Sequence, residues 1–281
     1  MTDSNTAPDA PPGSFLSGWD AHAHVIGDER DFPFAPGRSY TPQPASLESY
    51  LAMLDRHGLA HGVLVQPSVY GFDHGCLLDA LHRASGRLAG IAVPAPDATP
   101  ADLERLHRHG VRGVRCNLIN PGGLSLDVVS GWGAALRALG WHVEIHVPLA
   151  DVPTSVDRLR DLDVPVVVDH MGRPTPGCID PDGADPTALI DLVRSGRCFV
   201  KLSAPYRLSS DAPPWPDVAP LARALVAANP EGCLWGSDWP HVDVSPPVET
   251  DRVLSTRRDW CPDQQTRQIV STAAASRLFD R

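Results

Sequence analysis

Basic residues are scarce in this sequence: 24 Lys and Arg stand against 34 Asp and Glu, a formal net charge of -10. They are scattered, which excludes the clustered basic surface that a nucleic acid needs. An acidic small molecule remains compatible, because one or two local arginines outweigh a global charge. The six cysteines (Cys76, Cys116, Cys178, Cys198, Cys233 and Cys261) include no Cys-x-x-Cys pair, so no structural zinc site is indicated. They read as reduced thiols of a cytoplasmic protein. No apolar run is long enough to span a membrane. Met1 to Gly13 lacks a basic start and an apolar centre, so it reads as a disordered tail and not as a signal peptide. No Gly-x-Gly-x-x-Gly follows the first strand-like run, no Walker-type loop occurs, and no internal repeat is visible.

What is present is a long alternation. The 281 residues are 42% hydrophobic, enough for one large domain over 14–281. Eight strand-like runs can be marked: Trp19–Val25, Gly62–Gln66, Leu88–Pro94, Val111–Asn117, Trp141–Val147, Val164–His170, Cys198–Ser203 and Cys233–Asp238. A helix-like stretch follows each. Ser46 and the pair Thr99-Pro100 supply N-terminal helix signals. The 28–44 stretch has neither helical nor strand periodicity. Alternating strand and helix implies a parallel sheet. Eight repeats predict an α/β fold with a single (β/α)8 TIM barrel; a doubly wound open sheet is the alternative.

Barrel active sites lie at the C-terminal ends of the strands. Here those ends carry His22 and His24, Gln66 and Ser68, Arg115 and Asn117, His146, Asp169 and His170, Lys201 and Ser203, and Asp238 and His241. The first pair belongs to Asp20-Ala21-His22-Ala23-His24, where a period of two puts Asp20, His22 and His24 on one face. An isolated His-x-His is as readily a solvated strand end. Four histidines and an aspartate on one rim point to chemistry. His22, His24, His146 and Asp238 give a nitrogen and oxygen set that zinc or manganese accepts, with room for an activated water. Asp238 can instead serve as general base, with His170 stabilising an oxyanion. Arg115 offers a fork for a carboxylate, or a structural ion pair. Lys201 reads as an ion pair without a chemical role.

Three further motifs sharpen this: Val168-Asp169-His170-Met171-Gly172-Arg173-Pro174, Trp235-Gly236-Ser237-Asp238-Trp239-Pro240-His241, and Arg112-Gly113-Val114-Arg115-Cys116-Asn117. With Asp20-Ala21-His22-Ala23-His24, His146 and Phe32-Pro33-Phe34, they resemble the amidohydrolase superfamily over nearly the whole chain. Within it they are most similar to the lactone hydrolases that include the pyrone dicarboxylate lactonases. The resemblance implies an amidohydrolase-type barrel that hydrolyses a lactone ester. It implies a catalytic set of His22, His24, His170 and Asp238, and substrate contacts from Tyr40, Ser68 and Arg115, with Asn117 beside them. Two departures stand out. Asn117-Leu118-Ile119-Asn120-Pro121 lacks the second arginine of the pyrone branch, which points to a different acidic or sugar-derived lactone. His146 stands where that branch has tyrosine, which restores a ligand of metal-dependent members. One zinc or manganese is therefore expected, with a metal-independent mechanism as the alternative. A decarboxylase of the same superfamily and a non-catalytic binding barrel are the competing readings. The expected partner is a small-molecule lactone, with no nucleic acid and no membrane. Pairing of copies through outer helices is left open.

Overall fold

The structure is a computed structural model that describes residues 17–120, 123–177 and 179–280. The tail expected over 1–13 and Cys178 lie outside the described residues. Eight parallel strands form one sheet in sequence order: β1 Trp19–Ala23, β2 His61–Val65, β3 Leu88–Ala92, β4 Val111–Asn117, β5 His142–His146, β6 Val166–Val168, β7 Phe199–Leu202 and β8 Cys233–Trp235. Among the described residues, ten α-helices surround it: α1 Leu47–Arg56, α2 Gly75–Arg83, α3 Pro100–Arg108, α4 Leu126–Gly131, α5 Gly133–Leu139, α6 Val152–Leu159, α7 Ala184–Arg194, α8 Ala219–Ala228, α9 Thr250–Trp260 and α10 Gln264–Phe279. This is the expected (β/α)8 barrel. The single helix-like stretch expected after β4 is two helices meeting at Trp132, and α9 is a further helix beyond the one expected after β8.

The caps follow local chemistry. The Ser46 hydroxyl accepts from the Ser49 N–H at the start of α1. Thr99 and Asp102 close a reciprocal capping box at α3, with Pro100 in the first turn. The core has two layers. Leu64, Ala92, Val114, Ile145 and Val200 face the helices with Tyr50, Leu103 and Leu136. Trp19, Ala21, Val63, Val65, Ile91, Val167, Phe199 and Leu234 fill the barrel interior, and α10 closes its lower end with Ala274, Ala275, Leu278 and Phe279.

Strict alternation fails in β1. Trp19 and Ala21 pack inside the barrel, whereas Ala23 and Val25 pack in the outer layer. The register explains it: Asp20 pairs with Gly62, but Ala23 pairs with Leu64, three residues against two. This bulge turns the strand between Asp20 and Ala23. The Asp20 carboxylate thereby leaves the face of the His22 ring, although its Oδ1 still accepts from the His22 N–H at 3.3 Å. It accepts from the Tyr50 hydroxyl of α1 (3.1 Å) and from the Ser237 N–H (2.7 Å) and hydroxyl (2.6 Å).

Candidate active site

The barrel closes between β8 and β1, and that seam builds the site. The Asp238 N–H donates to the His22 carbonyl (2.8 Å), and the His24 N–H donates to the Trp239 carbonyl (2.7 Å). Gly236 permits the approach, since a Cβ there would lie 2.8 Å from the His22 Cβ and 2.9 Å from its backbone nitrogen. His170 (φ 49°), Asp238 (φ 57°) and His241 (φ 64°) all hold left-handed backbone. Each costs roughly 1–2 kcal/mol for a residue with a Cβ, which the packed surroundings must offset.

These side chains converge. His22 Nε2 is 3.6 Å and His24 Nε2 is 3.4 Å from Asp238 Oδ1. The His22 ring lies 4.6 Å from the His170 ring, and the His146 ring lies 5.3 Å from it. The Asp238 Oδ2 oxygen is held by the Tyr206 hydroxyl (2.6 Å) and Arg207 Nε (3.1 Å), leaving Oδ1 toward the imidazoles. His24 Nδ1 donates to the Val65 carbonyl at 2.7 Å, so its Nε2 faces Asp238 with a lone pair when the ring is neutral. His170 Nδ1 pairs with the Ser203 hydroxyl at 2.7 Å.

Beneath this layer lies a buried charge cluster. Arg115 Nε donates to Asp169 Oδ2 (2.7 Å), and Lys201 Nζ contacts Glu144 Oε1 (2.6 Å) and Asp169 Oδ1 (3.4 Å). The ion pair weighed for Arg115 is thus present, through its Nε edge. Asp238, Asp169 and Glu144 each have a cation. Arg173, half-buried beyond His170, makes no ion pair among the described residues.

Burial sets most proton affinities. It pushes His22 well below its usual value, reinforced by Lys201, and lowers His146 likewise, reinforced by Arg115. Burial brings His170 down to about 3. For Asp238 burial acts upward, but His170 and Arg207 outweigh it and hold the carboxyl well below the ordinary range. His22, His146 and His170 are thus neutral imidazoles near an ionised aspartate.

Of the other expected residues, Tyr40 is half-buried, with Ser68, Arg207 and Arg115 near its hydroxyl. Asn117 Oδ1 accepts from the N–H groups of Ile119 (3.2 Å) and Asn120 (3.1 Å), shaping its own loop. The sequence reading missed Tyr206 and Arg207, which sit past β7 on a short 3-10 turn with no periodic signal. It also missed Glu144, although His142-x-Glu144-x-His146 alternates along β5.

A cation fits these donors. His22 Nε2 and both His146 nitrogens are buried with no hydrogen-bond partner among the described residues. In the neutral ring, His24 Nε2 and Asp238 Oδ1 face each other as two acceptors at 3.4 Å. Ligand atoms of His22, His170 and Asp238 lie within 4.8 Å of one another, so the grouped set holds His170 and, among the described residues, includes neither of the expected ligands His24 and His146. Imidazole nitrogen with carboxylate oxygen suits zinc or manganese.

Comparison with known proteins agrees with this geometry. The amidohydrolase family model matches residues 19–281. A 4-sulfomuconolactone hydrolase of Hydrogenophaga intermedia is 35% identical over 96% of this chain and 89% of its own length. A 2-pyrone-4,6-dicarboxylate hydrolase of Comamonas testosteroni is 36% identical over 84% and 80%. A crystal structure from Pseudomonas putida, of a candidate 2-pyrone-4,6-dicarboxylic acid hydrolase, is 33% identical and covers 95% of this chain and 98% of that one, with a TM-score of 0.83. The chain belongs to the amidohydrolase family.

Proposed function

We propose that this protein is a lactone hydrolase that opens the ring ester of an acidic lactone, with Asp238 as general base. The observation that carries the reading is the half-engaged Asp238 carboxylate. Tyr206 and Arg207 fix Oδ2, while Oδ1 faces His22, His24 and the space beside His170. The lactone hydrolases among its relatives support the reaction class.

His24 Nε2 and Asp238 Oδ1 can accept both hydrogens of one water, which turns its lone pair toward the ester carbonyl. Asp238 takes the water proton as oxygen bonds to carbon. A Ser203 hydroxyl that donates to His170 Nδ1 leaves the hydrogen on His170 Nε2, a donor for the developing oxyanion. The ring carbon–oxygen bond then breaks. Asp238 returns the proton to the departing alkoxide, giving a hydroxy acid. A divalent zinc or manganese held by His22, His24, His146 and Asp238 would lower the pKa of the water and polarise the carbonyl.

Arg207 and the unpaired Arg173 favour a lactone bearing a carboxylate or sulfonate. Pyrones, muconolactones and sugar-acid lactones are the classes to test. Five described cysteines are free and buried, consistent with a cytoplasmic setting. No helix among the described residues is long and apolar enough to cross a membrane.

The test is acid release by purified protein from a panel of such lactones. Asp238→Asn should cut kcat by about 10²–10⁴, the range of general-base catalysis. An undiminished rate removes Asp238 from the mechanism. Carbon dioxide without acid release would make the protein a decarboxylase.

A further inference from the structure

Lys201 is the only lysine in the sequence; every other basic residue is an arginine. It is fully buried on β7. Its Nζ meets three acceptors: Glu144 Oε1 at 2.6 Å, His22 Nδ1 at 3.1 Å and Asp169 Oδ1 at 3.4 Å. An ammonium has three hydrogens and no lone pair, so toward His22 Nδ1 it can only donate, while its charge balances Glu144 and Asp169. A planar guanidinium could not serve three converging acceptors in this way. His22, Glu144 and Asp169 also form a group whose ligand atoms lie within 4.8 Å of one another, and Lys201 is the cation they share.

The consequence falls on His22. A neutral imidazole carries one hydrogen. If Nδ1 accepts from Lys201, that hydrogen sits on Nε2, on the side of Asp238 Oδ1 at 3.6 Å. A metal at Nε2 needs the lone pair of that nitrogen. The hydrogen would then have to move to Nδ1, facing an ammonium at 3.1 Å, with only Asp169 Oδ1 at 3.4 Å to receive it. Metal-binding histidines ordinarily donate their second nitrogen to a carboxylate or carbonyl. Lys201 works against that arrangement.

We propose that Lys201 is a positioning residue that holds His22 in its Nε2–H tautomer and thereby weakens divalent-cation binding at His22, His24, His146 and Asp238. As a donor, His22 instead serves Asp238 or the substrate carbonyl. The inference concerns these side chains alone and stands apart from the identity of the lactone.

The experiment compares wild type, Lys201→Met and Lys201→Met/Glu144→Gln. The single variant leaves Glu144 without its cation. The double variant removes the pair together, and Arg115 still balances Asp169, so it keeps the buried charge even. Long-range proton–nitrogen NMR on metal-free protein, with His22 assigned by difference from His22→Gln, reads the tautomer. Zinc titration reads the affinity. The expected result is Nε2–H in wild type, Nδ1–H in the variants, and zinc affinity rising about 10- to 100-fold, the range seen for second-layer partners. Nδ1–H in metal-free wild type overturns the proposal, and that measurement needs no variant. So does a folded double variant whose tautomer and zinc affinity match wild type. A lowered melting temperature with neither readout moved would show a purely structural lysine.

Discussion

Arg173 makes no ion pair among the described residues, and Asp238 reaches it only as a more distant charge. Asp238 has Arg207, Asp169 has Arg115, and Glu144 has Lys201. Burial, with Arg207 next, lowers Arg173 from its usual value, so an arriving anion relieves an existing strain. Arg173→Gln is expected to raise KM for an acidic lactone about 10- to 100-fold, from the roughly 1.5–3 kcal/mol of a charged hydrogen bond. KM for an uncharged lactone should hardly move. Equal effects on both substrates would remove Arg173 from anion recognition. Arg115 belongs to a different class, because its Nε supports a fully buried carboxylate. Arg115→Met should destabilise the fold by about 3–5 kcal/mol, the cost of leaving a buried charge unpaired. Denaturant unfolding would measure it; a loss under about 1 kcal/mol would mean that Lys201 alone suffices for Asp169.

Among the elements, the β8–β1 seam has the least tolerance. A Cβ at position 236 would press on the His22 backbone, which has no flexible end to move. Gly236→Ala should therefore cost about 1–3 kcal/mol, as overpacking does, and should lower kcat by displacing His22 against Asp238. A variant of full activity and unchanged melting temperature would contradict that account. The bulge in β1 is the matching feature on the other strand. A period of two predicted one face for Asp20, His22 and His24, and the extra residue breaks it. Pairing register decides a bulge, and register is a property of two strands. The helix α9 escaped the sequence reading for a related reason. It buries only Val253, Thr256 and Trp260, too sparse a stripe to mark a helix without its neighbours.

For the whole molecule, burial of titratable groups couples stability to pH in two opposed ways. His170 falls from 6.5 to about 3 on folding, so the folded state binds fewer protons. Its contribution is complete above 6.5 and is lost as pH falls toward 3. Asp20 rises from 3.8 to about 6, because burial outweighs its hydrogen bonds to Ser237 and Tyr50. Its contribution is complete below 3.8 and is lost as pH rises through 6. A tenfold change in proton affinity is worth about 1.4 kcal/mol, and the larger change belongs to the histidine. The two contributions oppose each other across the acid range, and the histidine's weighs more because its change in proton affinity is the larger. In chelator-treated protein, His170→Asn is expected to flatten the fall in melting temperature on acidification below pH 6.5. Parallel curves for variant and wild type would show that His170 is already protonated or is not protected by folding.

The sequence by itself determined the barrel and its rim. Eight apolar runs separated by capped amphipathic stretches leave few ways to bury both faces of a parallel sheet. Polar residues at the strand ends then fall on one rim, so His22, His24, His146, His170 and Asp238 were legible as a group. Tertiary structure alone decided how they engage one another. Closing β8 onto β1 set Asp238 against the imidazoles, and the turn after β7 brought Tyr206 and Arg207 to its second oxygen. Folding also carried Lys201 from an expected rim ion pair to the centre of a buried trio. Periodicity reports which face a side chain takes, whereas hydrogen-bond direction and charge balance depend on partners from 31 to 217 residues away.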